Sequence, residues 1–116
     1  MDSMAAALEA ISRGILSVDS GGRIWSLVDR SAKTSKLRPH PLRAERRSAS
    51  GYSMVHFWLD GRQYLVSAHR LVWTMTNGPI PDGMVVNHID GVKANNAISN
   101  LEVVTAAENV RHAVRS

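Results

Sequence analysis

Residues 85–113 read VVNHIDGVKANNAISNLEVVTAAENVRHA, and the order of signals in this stretch decides the fold. Met84 to Val86 is a short apolar run that reads as a strand ending on Asn87-His88. Asp90 to Asn100 is polar, with Asp90-Gly91 supplying a turn directly after the histidine. Leu101 to Val104 reads as a second strand. Thr105-Ala106-Ala107-Glu108 has the capping-box pattern, in which the threonine hydroxyl takes the Glu108 N–H. It opens a last helix running from Ala106 toward the end of the chain. The segment is therefore strand, loop, strand, helix.

Three residues in it carry chemistry that suits phosphodiester cleavage. That reaction needs a base to activate water, a cation to stabilise developing charge, and help for the leaving oxygen. Imidazole titrates near neutral pH in water and suits the first task. His88 stands at a strand end, where a side chain can project into a cleft. Asn87 precedes it, and adjacent strand residues point to opposite faces. Both serve one site only if the strand stops there. Asn109 falls one turn into the last helix, with His112 three residues on, on the same face. A phosphate near the start of that helix would meet free N–H groups and the positive end of the helix dipole.

Working outward, Tyr52 to Leu59 and Gln63 to Val66 flank Asp60-Gly61, a turn dipeptide, and form a hairpin. Ser67 can cap a helix from Ala68 to Asn77, stopped by Gly78 and Pro79. Toward the start, Ser3 to Ser12 has helical composition with Gly14 beyond it, and Ile15 to Val18 and Arg23 to Val28 form a hairpin about Ser20-Gly21-Gly22. Arg30 to Ser50 shows no hydrophobic period and contains Pro39 and Pro41, so it is expected to be a loop or arm. The fold class is α+β, with short hairpins and helices before a C-terminal ββα finger. Residues 1–50 are read as an N-terminal helix, hairpin and basic arm, and 51–116 as the domain holding the chemistry, together one unit.

The 116 residues suffice for one domain, and 44% hydrophobic residues suffice for a core. There is no cysteine, which excludes disulfides and thiolate zinc sites. No stretch approaches the ~20 apolar residues of a membrane span. The first residues lack a signal-peptide layout, so a cytoplasmic protein with no membrane partner is expected. The net charge is +4, and half of the 14 basic residues lie between Arg30 and Arg47: Arg30, Lys33, Lys36, Arg38, Arg43, Arg46 and Arg47. Only Glu45 opposes them. This clustering is the footprint of phosphate contact, against the plainer reading of a solvated basic loop.

The quoted stretch resembles the ββα-metal finger of HNH endonucleases, especially their phage and intron-encoded branch. The preceding YLVSAHRLVWTMTNGPIPDGMVVNH (64–88) is similar to the strand and helix leading into that finger, so the resemblance covers about Gly51 to Ala113. LSVDSGGRIWSL (16–27) resembles the modular DNA-contacting element VSxxGRxxSL, which in such proteins also precedes a basic stretch.

The resemblance implies that His88 is the general base and that Asn100 fixes its imidazole. It also implies that Asn87 and Asn109 hold one divalent cation. Both ligands are neutral amides, and with phosphate oxygens they suit Mg²⁺, with Mn²⁺ as substitute and Zn²⁺ less favoured. Double-stranded DNA is the implied partner, nicked or cut on both strands by a monomer or homodimer, in a bacterial or phage-infected cell. Besides the cluster, Arg70, Lys93, Arg111 and His112 are expected phosphate contacts. His112 could equally be a ligand or an exposed helix residue. Asn95-Asn96 and His69 are read as structural, and Trp25, Trp58 and Trp73 as core. A module that keeps the fold and binds DNA with little or no cutting is the rival reading.

Overall fold

The structure is a computed structural model that describes residues 2–29 and 36–108. Helix α1 (Ser3–Ser12) is capped by Asp2, whose carboxylate takes the Ala5 N–H at 2.7 Å. Its buried face is Ala6, Ala7 and Ala10, small residues that let the helix lie close to its neighbours. Strands β1 (Leu16–Val18) and β2 (Ile24–Asp29) form the first antiparallel hairpin. Strands β5 (Ser53–Leu59) and β6 (Arg62–Ser67) form the second. Asp60 and Gly61 turn the second hairpin with φ of 51° and 78°, the two left-handed positions that a tight two-residue turn requires. β5 alternates cleanly: Val55, Phe57 and Leu59 are buried, while His56 and Trp58 face outward. Trp58, expected in the core, is thus on the exposed face.

The basic stretch departs from the expected loop. Lys36–Arg43 is strand β3, paired with β2, and Glu45–Arg47 is strand β4, paired with β5. β3 lies at the edge of the sheet β1-β2-β3. Almost every β3 residue is exposed, so no alternation of apolar and polar residues marked it. Its prolines are accommodated where the register slips: Trp25 and Ser26 face Arg43 and Leu42, Val28 and Asp29 face Leu37 and Lys36, and residues 38–41 bulge between. Proline cannot donate to a ladder, and an edge bulge is where a strand tolerates it. Because β4 pairs with β5, a sheet runs across the boundary near residue 50.

Helix α2 (Ala68–Asn77) follows β6. Ser67 sits at its N-cap position, but its hydroxyl contacts His69 Nδ1 at 2.7 Å rather than capping a backbone N–H. Gly78, at φ 88°, ends the helix and donates to Thr74 O. Strands β7 (Met84–His88) and β8 (Leu101–Thr105) form the last pair, joined by the loop 89–100 with a single 3₁₀ turn at Ile98–Asn100.

Two cores share α2. The larger joins α1 and both hairpins to the helix through Ile24, Val55, Phe57, Ala68 and Leu71, among others. The smaller packs Val72 against Val86 and Leu101, with Trp73, Ile98 and Val103 at its margin. Val18 of the first hairpin touches both cores.

Candidate active site

Strand β7 ends at His88, where the sequence reading placed its end. Asn87 is the register partner of Glu102, and His88 of Leu101. Consecutive strand residues face opposite sides, so Asn87 shares a face with Glu102 while His88 turns the other way. The chain then bends at once: Ile89 N–H still bonds Asn100 O at 2.8 Å, and Gly91 N–H closes a turn onto His88 O at 3.0 Å.

The imidazole is buried, at 4% exposure, and its Nε2 lies 2.7 Å from Asn96 Oδ1. An amide oxygen only accepts, so this contact puts a proton on Nε2, and in the neutral ring the lone pair is then on Nδ1. Asn96, not Asn100, holds the ring. The resemblance implied this role for Asn100, and Asn96 was read as structural, whereas the bond to the ring is made by Asn96. Asn100 ties the loop to itself: it donates to Asp90 Oδ1 and to Asn95 O, both at 2.9 Å, and accepts from Asp90 N–H at 3.1 Å. Asp90 also receives Val92 N–H and Asn95 Nδ2. These donors, Asn95 first, then Val92 and Asn100, hold the Asp90 carboxyl below its ordinary value. An ionised Asp90 thus clamps the loop that presents Asn96.

Across the ring lies a stack that the sequence did not suggest. His69 sits 4.9 Å from His88, centroid to centroid, and 5.1 Å from Tyr52, nearly parallel to the latter. Lys93 Nζ stands 4.5 Å from the Tyr52 ring and donates to Ser50 O at 2.8 Å. Burial pushes His69 down to about 4, to which His88, when protonated, and Arg70 add. His69 is therefore a neutral packing partner of His88 at ordinary pH.

Asn87 Nδ2 donates to Glu102 Oε1 at 3.0 Å. With its nitrogen so engaged, the amide turns its Oδ1 away from the carboxylate. Glu102, half-buried, places an anionic oxygen beside this neutral amide; sequence reasoning missed it because the pairing follows from register, not spacing. Asn109, the other expected ligand, lies outside the described residues, as do Arg30, Lys33, Arg111 and His112. Among the described residues no three His, Cys, Asp or Glu side chains gather to hold a metal. The amide and carboxylate oxygens of Asn87 and Glu102 are the kind of donors that fit a hard cation taking its other ligands from phosphate and water.

The expected phosphate contacts divide. Lys36, Arg46, Arg47 and Arg70 are exposed. Arg43 instead pairs with the carboxylate of Glu45, 7% exposed, and lies over the Trp25 ring. Glu45 also accepts the Ile24 N–H. Arg38 donates to Ser26 Oγ at 3.3 Å, and Lys93 is engaged with Ser50 and Tyr52 as above. The last helix begins as expected, with Thr105 Oγ1 accepting Glu108 N–H at 3.1 Å.

Comparison with known proteins places this geometry. Residues 66–111 match the HNH endonuclease family model. A prophage-derived protein of Bacillus subtilis strain 168, named as an HNH homing endonuclease, is 48% identical over 68 residues, covering 56% of this chain and 38% of its own. A protein of Acanthamoeba polyphaga mimivirus, named as an HNH endonuclease, is 54% identical over 58 residues, covering 48% of this chain and 14% of its own. A solved structure of the HNH homing endonuclease I-HmuI, concerned with DNA binding and cleavage, superposes with a TM-score of 0.66 at 27% identity. That match covers 88% of this chain and 53% of I-HmuI. The chain thus spans well under two thirds of the length of each of these relatives.

Proposed function

We propose that this chain, whose residues 66–111 match the HNH endonuclease family model, hydrolyses phosphodiester bonds in double-stranded DNA with His88 as the general base. One observation carries this reading: Asn96 Oδ1 lies 2.7 Å from His88 Nε2, a contact that in the neutral ring puts the proton on Nε2 and the lone pair on Nδ1, the form that takes a proton from water. Asn96 orients the ring, and the stacked His69 and Tyr52 hold its other side. Water attack on phosphorus breaks the bond to the 3′ oxygen, leaving 5′ phosphate and 3′ hydroxyl ends. Asn87, supported by Glu102, and Asn109 would hold a single Mg²⁺ or Mn²⁺. When bound, that ion supplies charge stabilisation to the phosphate and to the departing oxygen. Exposed Lys36, Arg46, Arg47 and Arg70 add sequence-independent affinity for the DNA backbone.

No helix of the described residues is long and apolar enough to cross a membrane. The rival, DNA binding without cutting, draws on two observations: His88 is 4% exposed, and Asn87 is a neutral amide. Plasmid nicking separates the two. Supercoiled DNA should open with Mg²⁺ or Mn²⁺ and stay closed with EDTA, and His88→Ala should slow nicking about 10²- to 10⁴-fold. Binding without nicking under every divalent ion tried would establish the rival.

A further inference from the structure

The turn of the first hairpin touches the active-site loop from behind. Gly22 is buried at φ +75°, packed on the peptide that joins Asn96 to Ala97. A β-carbon there would stand 1.9 Å from Asn96 O, 2.3 Å from its carbonyl carbon and 2.8 Å from Ala97 N. All three are backbone atoms that cannot swing aside, so only glycine permits the approach. The turn itself is tightly built. Asp19 Oδ1 accepts Gly21 N–H at 2.9 Å and Arg23 N–H at 3.0 Å, and Oδ2 accepts the Trp25 indole N–H at 3.1 Å. On the far side of the same residue, Asn96 holds the His88 ring.

We propose that the β1–β2 turn is a buttress of the active site: Gly22 is a positioning residue that sets Asn96, and through it the His88 imidazole. This rests on the reading of His88 as the base. It gives the element 16–27 a task inside the protein, distinct from contact with DNA. A ring displaced by about 1 Å would cost roughly 10²-fold in rate without loss of DNA affinity.

The full chain carrying Gly22→Ala is compared with Gly14→Ala and Gly61→Ala. Those two glycines have φ of +76° and +78° but face nothing within 4 Å, so they share the backbone strain and lack the collision. Three readouts are taken: nicking kinetics, DNA affinity in EDTA, and the His88 tautomer from side-chain ¹⁵N–¹H correlations. Gly22→Ala should lower turnover about 10²-fold, keep its DNA affinity, and lose the pure Nε2–H tautomer, while both controls stay near wild type.

Gly22→Ala behaving like the controls overturns the proposal. So does a rate loss with the tautomer unchanged, or a loss of affinity with turnover kept, which would make the turn a DNA contact. If Gly22→Ala does not fold, Asp19→Ala loosens the turn without filling it. It should give the same rate and tautomer changes, and wild-type behaviour overturns the proposal. His88→Ala run alongside separates the failures. Nicking at the wild-type rate removes the base assignment and the buttress with it, whereas a dead His88→Ala with an ordinary Gly22→Ala removes the buttress alone.

Discussion

Asn96 and Asn100 are both buried asparagines of one loop, yet their bonds assign them different work. Asn96 has an oxygen on the imidazole, so what matters there is an acceptor of the right reach. Asn96→Asp should keep the Nε2–H tautomer and most of the turnover, while Asn96→Leu should lose both; equal nicking by the two variants would exclude the orienting role. The Asn100 amide bonds to groups of its own loop, so Asn100→Ala should cost about 1–3 kcal/mol of stability and spare the tautomer. Urea unfolding beside the same ¹⁵N measurement reads both. His69 carries a pH dependence. Its folded value is pushed down to about 4 against an ordinary 6.5. Above 6.5 neither state is protonated and the fold keeps its full stability. As pH falls from 6.5 toward 4, the unfolded chain takes up a proton that the fold refuses, so stability drops; below 4 the loss levels off. His69→Phe should flatten the urea midpoint over that window, and parallel curves for the two proteins would reject the assignment.

At the scale of elements, what the sequence made legible is whatever has a buried face or a special backbone angle. α1 was readable from its helical composition and α2 from Ser67 before it and Gly78-Pro79 after it; in the fold they bury Ala6, Ala7 and Ala10, and Leu71 and Val72. Asp60-Gly61 fixed the turn of the second hairpin by conformational demand. β3 was not readable, since a strand exposed on both faces has no period and its two prolines argue against any strand. Of the candidate site, the position of Asn87 and His88 where strand meets turn was legible. Asn96, Glu102 and His69 were not, because each reaches the site by something a linear pattern does not encode: a loop fold, a cross-strand register and a helix packed over a strand. Spacing alone could not choose between two asparagines four residues apart on a loop held together by Asp90.

For the whole molecule, the exposed basic residues are not equivalent. Arg46 and Arg47 are exposed on β4, and Arg43 is exposed as well but pairs with the nearly buried carboxylate of Glu45. Replacing Arg46 and Arg47 together by alanine should reduce the slope of log affinity against log salt by about 2, on the order of 0.9 for each phosphate no longer neutralised. An unchanged slope in a filter-binding titration would remove them from the DNA interface. Arg43→Ala should leave that slope alone. The composition of β3 has one more outcome, which concerns other copies of the chain rather than DNA. An outermost strand offers unpaired backbone groups to any neighbouring molecule, and here it also shows solvent Leu37 at 75% and Leu42 at 54% exposure. Pro39 and Pro41 withhold two N–H donors from that margin, and Lys36 and Arg38 bring like charges together wherever two such margins meet. The stretch that gives the protein its positive charge thereby also guards it against strand-to-strand aggregation.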